Sequence, residues 1–256
     1  HIGHKKENLD EPDVVVASTA VTQSNVEVAL AHQLGVPVIP RAEMLAELMR
    51  LKQGIAVAGS HGKTTTTAML TWILTQAGKN PGCLIGGVAL NFSSSAWLTD
   101  SPYFIIEADE YDTAFFDKRP KFMHYRPRTL VVNNIEFDHA DIYPGLGAIE
   151  QQFQYLLRTV PADGTVVVNA EDAVCSRVIN NGCWSKQSSF GLQHGDWSAR
   201  CLNSAANEFD LLYQGRVCGT VSWSQIGLYN VQNALAAAAA AVVAVAAWLS
   251  LSIDEA

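Results

Sequence analysis

Residues 55–66 read Ile-Ala-Val-Ala-Gly-Ser-His-Gly-Lys-Thr-Thr-Thr, and this stretch decides the fold class. Its apolar start predicts a buried strand, its glycines predict a turn, and residues 64–77 predict a helix that Gly78 ends. In a strand–turn–helix unit of this kind, the free N–H groups at the helix start attract anions. The stretch therefore predicts an α/β protein with a phosphate site at the turn.

The turn carries the groups that phosphate binding requires. Gly59 and Gly62 leave room for phosphate oxygens, the Lys63 ammonium neutralises them, and the Thr64 hydroxyl can hold Mg²⁺. The general phosphate-loop pattern has another glycine where this sequence has Val57, so the match is to a shorter variant. The alternative is an ordinary glycine-rich turn with an exposed lysine. The strand before the turn and the helix after it favour the phosphate loop.

Residues 1–50 form the first of two predicted units. Strand-like residues 13–18 and 36–39 alternate with helix-like residues 25–34 and 42–49. This rhythm is typical of a parallel sheet. We interpret the unit as the end of a Rossmann-like domain, because the glycine-rich turn that usually opens such a domain is not in it. An N-terminal portion is expected to be missing.

Residues 51–256 predict a second α/β domain. Strands are expected at residues 103–107, 129–132 and 165–169, and a helix is expected at residues 146–157. A later change to alternating patterns predicts a small antiparallel meander, with strands at 197–202, 209–213 and 216–223. The alanine-rich run 234–249 is shorter than the 18 or more apolar residues expected of a membrane span, so it predicts a buried helix and no membrane association.

The composition indicates a globular protein of the cytoplasm. Of 256 residues, 48% are hydrophobic and only 16% are charged, so much of the chain must be buried. The net charge of −8 argues against a nucleic-acid partner and requires any phosphate site to be local. Five cysteines without a Cys-x-x-Cys pair indicate neither a disulfide framework nor a zinc knuckle. No basic-then-apolar leader opens the sequence, and nothing in it indicates an oligomeric state.

Two polar clusters follow predicted strands and are candidates for metal binding. Residues 104–112 read Phe-Ile-Ile-Glu-Ala-Asp-Glu-Tyr-Asp, and Glu107 is the preferred Mg²⁺ ligand because it ends an apolar strand. Some of these acids fit a solvated acidic loop equally well. Residues 132–139 read Val-Asn-Asn-Ile-Glu-Phe-Asp-His, which makes His139 a second candidate ligand. A lone histidine is more often structural, but three strand ends should converge on one crevice here.

Together with residues 227–236, Gly-Leu-Tyr-Asn-Val-Gln-Asn-Ala-Leu-Ala, these motifs resemble the Mur ligase family of ATP-dependent amide-bond ligases. The resemblance covers nearly the whole chain. Residues 107–129 most resemble those members that act in peptidoglycan recycling and cell wall biogenesis. They join the murein peptide L-alanyl-γ-D-glutamyl-meso-diaminopimelate to UDP-N-acetylmuramate. The resemblance implies these two substrates, with ATP and Mg²⁺ as cofactors.

The resemblance also implies residue roles. ATP would be bound by the phosphate-loop residues and by two asparagines at the adenine: Gly59, Ser60, His61, Gly62, Lys63, Thr64, Thr65, Asn230 and Asn233. Thr64 would hold one Mg²⁺, and Glu107 with His139 would hold a second. Lys63, Glu107 and His139 would be the catalytic residues. The acyl phosphate that forms would then be attacked by the free amine of the peptide.

The sequence departs from the family pattern in three ways. Tyr229 stands where members usually have histidine in the adenine motif. No lysine lies between Lys121 and Lys186, and Phe153 is near the place where several relatives have a carbamylated lysine, which fits the muramate-using members. The family's C-terminal domain, which closes over ATP, is expected to be absent after Ala256.

Two alternatives remain open at this stage. One is UDP-N-acetylmuramate:L-alanine ligase, which shares the nucleotide and muramate machinery. The other is a phosphate-loop module that binds nucleotide without forming an acyl phosphate. The paired metal ligands Glu107 and His139 separate a ligase from such a module, which has no need of a second metal.

Overall fold

The computed structural model describes residues 1–18, 20–109, 120–137 and 143–254, with side chains to residue 249. Its strands are β1 Val15–Ala17, β2 Val38–Pro40, β3 Gln53–Ala58, β4 Gly82–Leu84, β5 Ala96–Trp97, β6 Tyr103–Glu107, β7 Thr129–Val132, β8 Thr165–Asn169, β9 Lys186–Phe190, β10 Trp197–Cys201, β11 Glu208–Tyr213 and β12 Arg216–Ser222. Its α-helices are α1 Val26–Leu34, α2 Arg41–Arg50, α3 Lys63–Gln76, α4 Leu146–Leu157, α5 Ala173–Asn180 and α6 Leu228–Asp254. Short 3₁₀ helices cover Lys6–Asn8 and Lys121–His124.

A ten-stranded sheet organises the second unit, in the order β12-β11-β10-β9-β8-β7-β3-β6-β4-β5. The pairs that connect β4, β6, β3, β7, β8 and β9 are all parallel. β10, β11 and β12 pair antiparallel, as does β5 with β4. The predicted α/β class with a small antiparallel meander is confirmed. The meander also continues the main sheet, because β10 pairs with β9 at Trp197 and Phe190.

Residues 1–50 fold around a separate parallel pair, β1 with β2. Asn25 caps α1 by accepting a hydrogen bond from the Glu27 N–H group, and Gly35 ends the helix in the left-handed conformation with φ +70°. α2 follows β2 directly and packs against β3. Helix α2 of this unit therefore lies against the main sheet.

The central strands are buried on both faces, which is why they read as continuous apolar runs. On β3, Ala56 and Ala58 face a core that includes the α4 residues Ile149 and Phe153. Ile55 points to the opposite face of β3, into a core to which α3 and α6 contribute. The sheet is therefore sandwiched between helices on both sides.

Helix α6 is a core element. Residues 228–249 are long and apolar enough to cross a membrane by length and composition alone, but half of this segment is buried inside the protein. Val231, Leu235 and Ala236 are fully buried against the sheet and α3. The prediction of a buried helix at 234–249 is confirmed, and the helix starts six residues earlier, at Leu228.

Candidate active site

The phosphate loop lies between β3 and α3. Gly59 has φ +141° and Gly62 has φ +79°, conformations that favour glycine. At Gly62 a Cβ atom would also overlap the amide oxygen of Asn233. Both the backbone conformation and the lack of space therefore exclude a side chain at this position. No side chain of the described residues caps α3, which leaves the N–H groups of its first turn available to an anion.

Lys63 is held across the loop. Its ammonium donates a hydrogen bond to the Gly59 carbonyl oxygen at 2.7 Å, and its Nζ lies 3.9 Å from a carboxylate oxygen of Asp109. Only 11% of the side chain is exposed. The charge is therefore concentrated where the loop would receive phosphate oxygens.

Glu107 and Thr64 are brought together at the end of β6. The Thr64 hydroxyl donates to Oε1 of Glu107 at 2.6 Å, and the Gly86 N–H donates to Oε2 at 2.6 Å. Carboxylate and hydroxyl oxygens are ligands that Mg²⁺ accepts, and Mg²⁺ usually takes one or two carboxylates and completes its shell with phosphate and water. Within the described ranges no cluster of three or more His, Cys, Asp or Glu side chains could hold a metal. The pair therefore fits a magnesium ion that also contacts nucleotide.

The partner predicted for Glu107 cannot be placed beside it. His139 lies outside the described residues, as do Glu110 and Asp112 of the acidic cluster. The role of His139 as a ligand of a second metal stays a prediction.

The segment after β7 supports the loop from the opposite side. The Ser60 hydroxyl donates to the Glu136 carbonyl oxygen at 3.1 Å, and the His61 N–H donates to the Asn134 side chain at 2.7 Å. The Asn133 amide donates to the Thr66 hydroxyl at 2.9 Å. Sequence reasoning assigned no role to the two asparagines, although their place directly after an apolar strand was a signal that they reach this edge of the sheet.

The two asparagines of α6 take different positions. The Thr66 hydroxyl donates to Oδ1 of Asn233 at 3.2 Å, which puts Asn233 against the phosphate loop itself. The Asn230 amide donates to the Ile226 carbonyl oxygen at 2.9 Å, at the start of the helix, and the neighbouring Tyr229 is 65% exposed. Their predicted contact with adenine stays a prediction.

Two cavities adjoin this site. The larger, of about 1050 Å³, lies between α3, α6 and the meander, and Thr64, Thr65 and Asn230 line its edge. The smaller, of about 290 Å³, is lined by Glu107 and Gly86 and by residues of α2. The carboxylate of Glu107 thus separates the phosphate loop from a pocket on the side of the first unit.

The comparisons identify the class of protein. Residues 57–241 match the profile described as the Mur ligase middle domain, and residues 1–53 match the Mur ligase family catalytic domain. The chain belongs to the Mur ligase family, as its motifs predicted.

Particular relatives are similar over most of the chain. The UDP-N-acetylmuramate–L-alanyl-γ-D-glutamyl-meso-2,6-diaminoheptandioate ligase of Haemophilus influenzae is 48% identical over 90% of this chain and 51% of the relative. The UDP-N-acetylmuramate–L-alanine ligase of Solidesulfovibrio magneticus is 42% identical over 92% of this chain and 50% of the relative. The chain thus spans about half the length of these curated relatives.

A solved structure shows the same fold. The UDP-N-acetylmuramate:L-alanyl-γ-D-glutamyl-meso-diaminopimelate ligase from Neisseria meningitides superimposes with a TM-score of 0.84 at 46% identity, covering 95% of this chain and 78% of that chain. The resemblance to murein peptide ligases that the sequence motifs indicated is confirmed by this match and by the Haemophilus relative.

Proposed function

We propose that this chain carries the ATP site and part of the sugar-nucleotide site of a cytoplasmic ligase that joins a murein tripeptide to UDP-N-acetylmuramate. The observation that carries the proposal is the contact between Thr64 and Glu107 beside the Lys63 ammonium. A hydroxyl and an ammonium at the start of one helix, together with a carboxylate at the end of a neighbouring strand, suit the transfer of a phosphoryl group between anions.

The residues can perform the first half-reaction as follows. The N–H groups of the first turn of α3 and the Lys63 ammonium bind the ATP phosphates. Thr64 and Glu107 would hold Mg²⁺, which would supply positive charge to offset the repulsion between the triphosphate and the substrate carboxylate. A carboxylate oxygen of the donor attacks the γ-phosphorus, the bond to the bridging oxygen of ADP breaks, and ADP leaves with that electron pair.

The second half-reaction needs an amine. Its nitrogen attacks the acyl carbon, inorganic phosphate leaves, and the nitrogen loses a proton to give the amide. Exclusion of water protects the acyl phosphate until then. We assign the tripeptide as the amine because the Haemophilus relative at 48% identity is named for it. L-Alanine is the second candidate, supported by the Solidesulfovibrio relative at 42% identity.

The experiment that tests the proposal is an assay of ADP release with the full-length protein. ATP and UDP-N-acetylmuramate are kept saturating, and the tripeptide or L-alanine is supplied as the amine. We expect fast turnover with the tripeptide and ligated product by mass spectrometry. Faster turnover with L-alanine would replace the tripeptide as the assigned amine and leave the ligase chemistry standing. If neither amine led to ADP release, the ligase assignment itself would be refuted.

A further inference from the structure

The chain enters the phosphate loop as an extension of the sheet. β3 and β7 are parallel, and their last paired residues are Ala58 and Val132. Beyond this pair the Asn133 N–H group donates to the Ala58 carbonyl oxygen at 3.0 Å. The Ser60 N–H group in turn donates to the Asn134 carbonyl oxygen, also at 3.0 Å. The first residues of the loop are therefore held by the segment that follows β7.

The side chain of Asn134 continues this pairing where the two backbones diverge. The loop turns away at Gly62, where φ is +79°. One residue earlier, Oδ1 of Asn134 accepts a hydrogen bond from the His61 N–H group at 2.7 Å, and Nδ2 donates to the His61 carbonyl oxygen at 3.2 Å. A flipped amide would place oxygen against oxygen and N–H against N–H, so only one orientation of the amide makes these bonds. Asn134 thus satisfies both polar backbone groups of His61.

These bonds limit the N–H groups that a phosphate can use. The N–H groups of Ser60 and His61 each have one proton, and that proton is already donated to Asn134. The backbone N–H groups of Thr64 and Thr65, by contrast, make no hydrogen bond to any residue that the structure describes, as expected in the first turn of a helix. The donors offered to an anion consequently lie in the first turn of α3.

The glycines of the loop make this support important. Gly59 and Gly62 have φ values of +141° and +79°, and glycine loses more conformational freedom than any other residue when it is fixed. If ATP had to order the loop itself, its affinity would be lower by the fraction of time that the loop spends in the binding conformation. The bonds from Asn134 to His61 keep the residue between the two glycines in place before ATP arrives.

We propose that Asn134 is a positioning residue of the ATP site, which acts by holding His61 and not by contact with the nucleotide. This inference rests on the proposed function and deepens it in two ways. It assigns the backbone contacts of the phosphates to the first turn of α3 and removes the N–H groups of Ser60 and His61 from them. It also gives a role to an asparagine that the sequence motifs left without one.

Amide hydrogen exchange in the wild-type, full-length protein tests the proposal without any substitution. Exchange is measured at single-residue resolution with and without saturating ATP and Mg²⁺. We expect the Ser60 and His61 N–H groups to be protected at least about 10-fold without nucleotide, and ATP to slow them by less than about threefold. The N–H groups of Thr64 and Thr65 should exchange fast without nucleotide and at least about 10-fold more slowly with ATP.

Asn134→Ala tests the consequence for binding in the full-length protein. ATP and AMP share the base, the ribose and the α-phosphate, so the ratio of their dissociation constants reports on the two outer phosphates. The variant should weaken ATP about 10- to 100-fold, the range expected for the loss of two hydrogen bonds, and AMP by less than about threefold. The KM for ATP should rise with the dissociation constant. At saturating ATP, kcat should change by less than about threefold, because bound ATP then orders the loop.

Asn203→Ala is the matched control. Asn203 lies between β10 and β11, where its Oδ1 accepts a hydrogen bond from the Asn207 N–H group at 3.3 Å and its Nδ2 donates to Oδ1 of Asn207 at 2.8 Å. The control therefore also removes one accepted and one donated bond, and it should leave the KM for ATP and both dissociation constants unchanged. A thermal melt and the binding of UDP-N-acetylmuramate show whether each variant is folded.

The outcomes separate this inference from the proposed function. If the His61 N–H group exchanges freely until ATP binds, phosphate replaces Asn134 and the inference is wrong. It is equally wrong if folded Asn134→Ala keeps the wild-type ratio of the ATP and AMP dissociation constants, or loses kcat without a rise in KM. If this variant does not fold, the exchange pattern of the wild type decides alone. These measurements depend only on ATP binding, whereas the proposed function fails if the wild-type protein forms no ADP with any amine.

Discussion

The hydrogen bonds of Glu107 make Glu107→Gln the sharpest test of the magnesium site. The carboxylate accepts from the Thr64 hydroxyl and from the Gly86 N–H, each at 2.6 Å. A glutamine of the same shape can still accept from Gly86, and its NH₂ group can donate to the Thr64 oxygen. Two bonds to a charged group become two neutral bonds, which should cost about 1–2 kcal/mol of folding free energy at this half-exposed position.

The expected effect of Glu107→Gln on catalysis is much larger. A Mg²⁺ ligand loses its charge, and the charge stabilisation that a metal gives the transition state amounts to several kcal/mol. Each 1.36 kcal/mol is a factor of ten in rate, so kcat should fall by about 10²- to 10⁴-fold. The assay is ADP release from the full-length protein at several Mg²⁺ concentrations, together with a thermal melt.

Glu171→Gln provides the matched control. The Glu171 carboxylate accepts three backbone N–H bonds, from residues 192–194, at 2.6–3.0 Å. The amide should destabilise the fold by about 1–3 kcal/mol, because one of those N–H groups would face an NH₂ group. Its kcat should stay near the wild-type value below the melting temperature. Wild-type kcat in Glu107→Gln, or an equal loss of kcat in Glu171→Gln, would refute the metal-site reasoning.

Three further changes test other parts of the molecule. Lys63→Ala should abolish ATP turnover and leave the circular dichroism spectrum unchanged, since it removes a phosphate-binding charge; retained turnover would contradict the phosphate-loop assignment. Gly62→Ala should lose ATP binding by calorimetry and about 1–3 kcal/mol of stability, because its φ of +79° and the Asn233 side chain exclude a Cβ atom; Gly87→Ala, with open space around it, should do neither. The Arg200 guanidinium, and after it the Thr220 hydroxyl, lower the pKa of Asp210. Its stabilising effect is present above the unfolded pKa of about 4 and is lost as pH falls through the folded value, so melting temperature should fall less below pH 4 in Asp210→Asn than in the wild type.

The sequence predicted the position of the site because that position follows from local pattern. Apolar runs of four to six residues between turns mark parallel strands, and the carboxyl ends of such strands meet at one edge of the sheet. Glu107, at the end of β6, was therefore predicted beside the phosphate loop, although with His139 as its partner, and its Oε1 atom lies 2.6 Å from the Thr64 hydroxyl.

Other features were not predicted because they depend on contacts far apart in the sequence. β9, Lys186–Phe190, reads Lys-Gln-Ser-Ser-Phe, a pattern too polar to predict a strand, yet it joins the meander to the central sheet. The short strands β4 and β5 were missed for a similar reason, since two or three residues show no periodicity. The smaller cavity needs α2 and the 3₁₀ helix at Lys121–His124 to come together, which no local pattern encodes.

The alanine content of α6 connects its packing to the phosphate loop. Ala236, Ala237 and Ala240 are completely buried against the α3 side of the core, and their small side chains let the two helices approach closely. This approach brings Asn233 to the Thr66 hydroxyl, 167 residues away along the chain, and leaves only a glycine's space at position 62. Larger side chains on this face of α6 would move Asn233 away from the loop. The composition that first suggested a buried helix is thus also a condition for the geometry of the nucleotide site.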